Sequence, residues 1–123
     1  GVSRALRAAG QGTLIVALEP TSSPILTEGT KGGHNVEGIG LGFVPELLDA
    51  NLYDEARAID EADARRTALR LAREEGIFAG VSSGGALAAA MKVSEQVENA
   101  VIVSIVCDRG DRYLSTGVYD GPA

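Results

Sequence analysis

The sequence predicts an α/β fold in which helices cover a mostly parallel sheet in three layers. Aliphatic runs alternate along the chain with stretches of helical periodicity, an order that is typical of β-α-β units. The strongest aliphatic runs lack the alternation of a half-exposed strand, which indicates strands buried on both faces. With 123 residues, 45% of them hydrophobic and 23% charged, the chain is long enough for one domain with a buried core.

The first third of the chain predicts a helix, a buried strand and a long loop. Residues 1–9 show helical periodicity from the first residue onward and Gly10 is a suitable stop, so we expect that a larger protein has been cut here. The run Thr13–Glu19 is predicted as a buried strand, which Pro20 ends. Residues 20–43 are rich in Gly, Pro, Ser and Thr, and a loop of this length favours a binding segment or a lid.

The middle of the chain predicts a second strand and an amphipathic helix. Val44–Leu52 is predicted as a short helical turn, and Tyr53–Asp60 as a weaker strand that leads into a helix cap at Asp60. The helix that follows would turn its apolar positions toward the core and end at Gly76. These apolar positions are Ala62, Ala68, Leu69 and Ala72.

The last third predicts a helix between two extended segments. Residues 77–81 are expected to form a short strand or extended segment, and Ser83–Val97 a helix whose small residues allow close packing. Ala100–Asp108 is predicted as the strongest strand of the chain, followed by a loop and tail. We find no internal linker, so residues 1–123 are expected to form a single domain.

The composition excludes several classes of function. A net charge of −6 without a basic run is unfavourable for nucleic acids and for anionic membranes. No apolar run approaches the roughly 20 residues that span a bilayer. The single Cys107 rules out an internal disulfide framework and suits a reducing, cytoplasmic location, and the single His34 cannot form a histidine-rich metal site. We therefore expect no metal, no nucleic acid and no membrane among the ligands.

Three stretches fall where a parallel sheet places its sites, beyond the carboxyl ends of strands. They are the loop after Glu19, Ser82–Gly84 and Cys107–Arg109. Glycines in the loop allow a backbone to approach a ligand closely, although the run Gly38–Gly42 lacks the spacing of a dinucleotide loop. Without further evidence, Cys107 indicates inert packing, and the charges after it indicate a solvated turn.

Three roles are open for Ser82, which lies in a G-x-S-x-G pattern between Gly80 and Gly84. A serine hydrolase with this turn has its histidine after the serine, whereas His34 precedes Ser82. Ser82 or Ser83 could instead cap the helix with its hydroxyl. The hydroxyl could also bind a polar ligand beside the free N–H groups of the helix start.

Several stretches together resemble one enzyme family. The segments "EGIGLGFVPELLD", "LAREEGIFAGVSSGG", "GVSSGGALAAAMKV" and "VCDRGDRYLSTGVY" resemble the carboxyl-terminal part of cysteine synthase (O-acetylserine sulfhydrylase). The opening "GVSRALRAAGQGTLIVALEP" resembles the segment after that family's phosphate loop. The resemblance implies the tryptophan-synthase β-like fold, fold type II of pyridoxal-phosphate (PLP) enzymes. Residues 1–123 would then be an incomplete carboxyl-terminal portion of a larger two-domain enzyme.

The resemblance implies a β-replacement that makes L-cysteine from O-acetylserine and sulfide through an aminoacrylate. Ser82 would bond the pyridine nitrogen of PLP, and Cys107 and Asp108 would flank that edge of the ring. Gly38, Ile39 and Gly40 would form the loop that closes near the substrate. "CDRGDRYLSTGV" resembles the B isozyme, which is linked with thiosulfate as sulfur donor, whereas "KGGHNVEGIGLGF" resembles the A isozyme.

The resemblance also implies parts that this chain does not contain. PLP chemistry needs a Schiff-base lysine, and neither Lys31 nor Lys92 resembles the family's lysine motif. No catalytic residue is therefore expected in this chain, which alone should be inactive. The remainder of the enzyme, a second copy in a homodimer and a serine acetyltransferase are the partners implied. The alternatives are a non-catalytic PLP- or peptide-binding paralogue, a serine hydrolase and a related enzyme such as cystathionine β-synthase or a phosphoserine-using sulfhydrylase.

Overall fold

Two parallel strands form the sheet in a computed structural model of the chain, which describes residues 1–121. Strand β1 covers Val16–Pro20 and strand β2 covers Glu55–Ile59, with Val16 opposite Glu55. The parallel pairing confirms the α/β class. Strand β1 begins three residues later than the aliphatic run that predicted it, and β2 lies within the predicted strand.

Among residues 1–121, four α-helices and two 3₁₀ turns accompany this pair of strands. The helices are α1 (Val2–Ala8), α2 (Ile25–Glu28), α3 (Glu61–Glu75) and α4 (Val81–Ser94), and the 3₁₀ turns cover Ala50–Leu52 and Gly110–Thr116. The predicted helical turn over Val44–Leu52 is therefore confined to its last residues. Asp49 fixes that turn because its carboxylate accepts a hydrogen bond of 3.0 Å from the backbone N–H of Asn51.

The long loop after β1 is ordered by a buried carboxylate. Glu19 is only 3% exposed, and its two oxygens accept the backbone N–H groups of Leu26 and Thr27 at 2.6 and 2.8 Å. The hydroxyl of Thr27 donates a further bond of 2.7 Å. These bonds satisfy free N–H groups of α2 and offset the cost of burying the charge. The loop is thus attached to the end of β1.

Helix α3 has the predicted bounds, with an αL residue, Gly76, directly after its end. Asp60 lies at the predicted cap position, but its side chain accepts a hydrogen bond of 2.6 Å from the Thr21 hydroxyl instead of capping the helix. Of the predicted buried positions, Ala68 and Leu69 are buried and Ala72 is half-buried, whereas Ala62 is exposed; Ala64, which was not predicted, is fully buried.

Helices α3 and α4 pack at close range. A Cβ atom on Gly84 would lie 2.1 Å from the carbonyl oxygen of Ala64 and 2.6 Å from the amide nitrogen of Ala68, so only glycine fits there. Helix α4 begins at Val81, two residues before its predicted start, and ends at Ser94. The early glycine therefore sets the distance between the two helices.

The strand predicted over Ala100–Asp108 is wrong for the part of the chain that the structure describes. Residues 101–107 belong to no ladder and are exposed, with Val101 at 92% and Val103 at 79% of full exposure. A single antiparallel bridge joins Ala79 to Arg109 just beyond this segment. A strand needs hydrogen-bonding partners on a neighbouring strand, and residues 1–121 supply none here.

A small core links the Gly-rich loop to the helices. It consists of the buried residues Val36, Ala64, Val81, Tyr113 and Val118. Val36 comes from the loop and Val81 from the first turn of α4, so the core holds these two segments beside each other.

Candidate functional site

The start of α4 is the centre of the candidate site. Gly80 is the N-cap residue in an extended conformation, and no side chain caps this end of the helix. The expectation that Ser82 or Ser83 caps the helix is therefore wrong. Both serines lie in the first turn and are buried. A Cβ atom on Gly80 would lie 2.3 Å from Asp108 Oδ1, so the absence of a side chain lets Asp108 approach the helix.

Backbone hydrogen bonds hold residues 107–110 against this helix start. The Ser83 hydroxyl accepts a bond of 3.2 Å from the backbone N–H of Cys107. The backbone N–H of Gly80 donates to the carbonyl of Asp108 at 3.2 Å. Cys107 and Asp108 are therefore fixed beside the first turn of α4, which carries Ser82. That they flank the edge of a cofactor ring stays a prediction.

Asp108 is held by a tyrosine that follows it in the 3₁₀ turn. The Tyr113 hydroxyl donates a hydrogen bond to Asp108 Oδ2, and the guanidinium of Arg112 lies 3.7 Å from the same oxygen. The bond to Asp108, together with burial, raises the pKa of Tyr113 to about 12. Asp108 Oδ1 is buried and has no hydrogen-bond partner among residues 1–121. One carboxylate oxygen is thus unpaired within this part of the chain and packed against Gly80.

The Gly-rich loop passes in front of Ser82. Gly38 has a positive φ of 91°, and a Cβ atom on it would lie 4.0 Å from Ser82 Oγ. A cavity of about 260 Å³ separates the loop from the helix start. Its lining residues are Glu37, Gly38, Ile39, Ser82, Cys107, Asp108, Arg112 and Tyr113.

Five of the six predicted site residues line this one cavity. Gly40 does not: it lies in a neighbouring cavity of about 710 Å³ that shares Gly38 and Ile39 as a common wall. Tyr113 and Arg112 were not predicted, because their charged, turn-like surroundings in the sequence indicate a solvated tail. Their spacing from Asp108 carries no local signal, and only the folded 3₁₀ turn brings them to the cavity.

The geometry does not form a serine–histidine pair. Nε2 of His34 lies 2.6 Å from the carbonyl oxygen of Gly40, and Nδ1 accepts the backbone N–H of Val36 at 3.1 Å. Both ring nitrogens are thus engaged with the loop backbone, and neither activates Ser82. This arrangement disfavours the hydrolase alternative.

Residues 1–108 match the family described as pyridoxal-phosphate dependent enzymes. The chain belongs to this family. Pyridoxal phosphate is the family's cofactor, and the resemblance to cysteine synthases stated from the sequence is confirmed.

Individual relatives and solved structures support the membership of this chain in the PLP enzyme family. Cysteine synthase B of Pseudomonas aeruginosa is 45% identical over 123 residues, covering 98% of this chain and 38% of the relative. The O-ureido-L-serine synthase of Streptomyces lavendulae is 42% identical over 122 residues, with the same coverage of 98% and 38%. The crystal structure of cysteine synthase from Entamoeba histolytica matches with a TM-score of 0.94 at 37% identity, covering 99% of this chain and 37% of that one. The fold is therefore that of fold type II PLP enzymes.

The cavity of this PLP family member fits one edge of an aromatic ring. A neutral hydroxyl, a carboxylate and a glycine without a side chain line it, at Ser82, Asp108 and Gly38. A volume of about 260 Å³ is at the small end for a ligand pocket, which suits a ring held partly by other segments. Lys92 forms an ion pair of 3.5 Å with Asp63 on the outer face of α3 and α4, and Lys31 is exposed in the loop.

The chain spans 38% of the length of these two curated relatives. In residues 1–121 no helix has the length and apolar character that crossing a membrane requires.

Proposed function

We propose that this chain is the carboxyl-terminal portion of a two-domain PLP-dependent cysteine synthase, which makes L-cysteine from O-acetylserine and sulfide by β-replacement. The observation that carries the proposal is the single cavity shared by Ser82, Cys107, Asp108, Gly38 and Ile39. The identity to cysteine synthases over nearly the whole chain supports it.

Ser82 has the chemistry that a pyridine nitrogen requires in this reaction. Bound PLP supplies an electron sink for elimination and replacement on an amino acid. The Ser82 hydroxyl would bond the ring nitrogen without forcing its protonation, whereas a carboxylate in the same place would favour the protonated ring. Asp108 does not take this role, because Tyr113 occupies Oδ2 and Oδ1 is buried against Gly80. The Ser82 hydroxyl would therefore hold the nitrogen, and Asp108 with Cys107 would border the ring edge.

The loop from Gly38 to Gly40 contacts the substrate in this proposal. Gly38 has a positive φ angle and lines the cavity of Ser82 without a side chain, and Gly40, also with a positive φ angle, lines the neighbouring cavity. The Schiff-base lysine and the phosphate loop come from the remainder of the enzyme, so this chain alone is inactive. The complete enzyme is a cytoplasmic homodimer and a partner of serine acetyltransferase.

A chimaera tests this activity. The amino-terminal part of the Pseudomonas aeruginosa cysteine synthase B is joined to this chain at Gly1, which replaces the segment that is 45% identical. We expect the chimaera to bind PLP with a visible absorbance band and to form L-cysteine from O-acetylserine and sulfide. A chimaera that binds PLP but forms no L-cysteine contradicts the proposed activity, and turnover by this chain alone contradicts its inactivity.

A second candidate activity is the synthesis of O-ureido-L-serine. It is favoured by the Streptomyces lavendulae relative and by the crystal structure of an O-ureido-L-serine synthase, which matches at 40% identity with a TM-score of 0.91. The two activities differ in the nucleophile that replaces the leaving group. Mass spectrometry of the chimaera's products with sulfide, thiosulfate and hydroxyurea in competition distinguishes them, and it also identifies the sulfur donor.

A further inference from the structure

One imidazole spans the turn that carries Gly38 and Ile39. The backbone N–H of Val36 donates to Nδ1 of His34 at 3.1 Å, so Nδ1 carries a lone pair. Nε2 lies 2.6 Å from the carbonyl oxygen of Gly40, which only accepts, so Nε2 carries the proton. A single neutral tautomer satisfies both bonds, and an imidazolium would lose the bond from Val36.

Both ends of this turn are attached to rigid parts of the fold. Val36 is fully buried in the core beside Val81, the first residue of α4. A Cβ atom on Gly40 would lie 2.6 Å from both His34 Nε2 and Pro20 Cγ, so Gly40 is enclosed between the imidazole and the end of β1. The His34 ring therefore bridges the turn, and it fixes the distance between Val36 in the core and Gly40 beside the end of β1.

We infer that His34 is a positioning residue that sets the shape of the Gly38–Ile39 wall opposite Ser82, and that it does so as the neutral Nε2–H tautomer. Its two nitrogens are used by the loop, so it acts through the backbone of the turn and does not contact a ligand in the cavity. The identity of the ligand rests on the proposed function. The tautomer does not, and neither does the bridge that the His34 ring forms between Val36 and Gly40, which we call the clamp.

The tautomer can be read directly in the 123-residue chain. We expect nitrogen NMR of His34 at pH 8 to show an unprotonated Nδ1 and a protonated Nε2. A protonated Nδ1 overturns the inference, with or without cofactor and whatever reaction the complete enzyme performs. A failure here is thus distinguishable from a failure of the proposed function.

Two substitutions test the clamp. His34→Phe keeps an aromatic ring but removes both bonds, and we expect amide hydrogen exchange at Val36, whose N–H donates to His34 Nδ1, to become roughly ten-fold faster. His34→Gln keeps a donor for the Gly40 carbonyl and should recover part of the protection, which a purely volumetric role would not predict. Unchanged exchange in both variants, or equal exchange in Gln and Phe, overturns the clamp. If His34→Phe does not fold, the comparison of His34→Gln with the unsubstituted chain decides the point.

Discussion

Tyr113 is a residue whose ionisation depends on one contact. Its hydroxyl donates to Asp108 Oδ2, and this bond with burial raises its pKa from 10.0 to about 12. A raised pKa means that the folded state holds the proton more tightly, so the contribution to stability is complete below pH 10. It is lost as the pH rises from 10 to about 12.

The Tyr113→Phe variant tests this linkage. Because a hydrogen bond to a charged group contributes about 1.5–3 kcal/mol, we expect the variant to lose that much unfolding free energy at pH 8. The difference from the unsubstituted chain should shrink at pH 11. Urea unfolding at both pH values measures it, with Tyr53→Phe as the control for removal of a half-buried phenol hydroxyl. An equal difference at both pH values would contradict the assigned bond.

The two adjacent serines at the start of α4 are expected to have different roles, Ser82 in ligand binding and Ser83 in structure. Ser83 accepts the backbone N–H of Cys107, so Ser83→Ala should lower the unfolding free energy by about 1 kcal/mol. Ser82 does not cap the helix, and Ser82→Ala should change stability by less than about 0.5 kcal/mol. In the chimaera, however, Ser82→Ala should be the variant that lowers turnover.

Thermal unfolding and steady-state kinetics of these two variants provide the measurements. A Ser82→Ala variant with reduced stability and unaltered turnover would return Ser82 to a structural role. The proposal requires that Ser83→Ala lowers stability more than Ser82→Ala does, and that Ser82→Ala lowers turnover more than Ser83→Ala does.

At the scale of elements, the packing of α3 on α4 depends on one of two adjacent glycines. A Cβ atom on Gly84 would lie 2.1 Å from the Ala64 carbonyl oxygen, whereas one on Gly85 would make an ordinary contact of 3.4 Å with the Ala64 Cβ. Gly84→Ala should therefore force the helices apart and cost about 1–3 kcal/mol or more. Gly85→Ala should be neutral or stabilising by up to about 1 kcal/mol, because alanine favours the helix. Urea unfolding of both variants measures the two changes in unfolding free energy. Equal changes would contradict the close approach of α3 to α4 at Gly84.

Elements with local signals were predictable from the sequence. Gly76 ends α3 as predicted because an αL position after a helix strongly favours glycine. The cap expected from Ser82 or Ser83 failed because the backbone turns into the helix already at Gly80, two residues earlier. Helix α2 has no sequence signal of its own, since it is stabilised by the buried carboxylate of Glu19 from β1.

Contacts between distant segments were predictable only through resemblance. The resemblance placed Gly38 and Ser82 at one site, and the structure brings them to a common cavity. No periodicity or spacing indicates that His34 bridges Val36 and Gly40, because the bridge depends on the fold of the loop. The strand expected over Ala100–Asp108 shows the opposite error: hydrophobicity predicts burial, but burial needs a neighbour that residues 1–121 do not provide.

At the scale of the whole molecule, the exposed apolar segment 101–107 is the main liability of the chain. Val101 and Val103 are 92% and 79% exposed, and unpaired extended backbone with apolar side chains favours association. In the proposed enzyme the remainder of the protein covers this segment. The isolated chain lacks that cover, so we expect it to self-associate as its concentration rises.

Light scattering after size-exclusion chromatography tests this expectation. The double variant Val101→Lys, Val103→Lys should shift the chain toward the monomer, because charges on the exposed segment oppose its pairing with a second copy. Leu47→Lys is the matched control, since Leu47 is 90% exposed but lies in the loop before β2. A monomeric unsubstituted chain contradicts the prediction. An equal effect of the control would assign association to general hydrophobicity, whereas a specific effect of the valine pair identifies segment 101–107 as the surface through which the isolated chain associates.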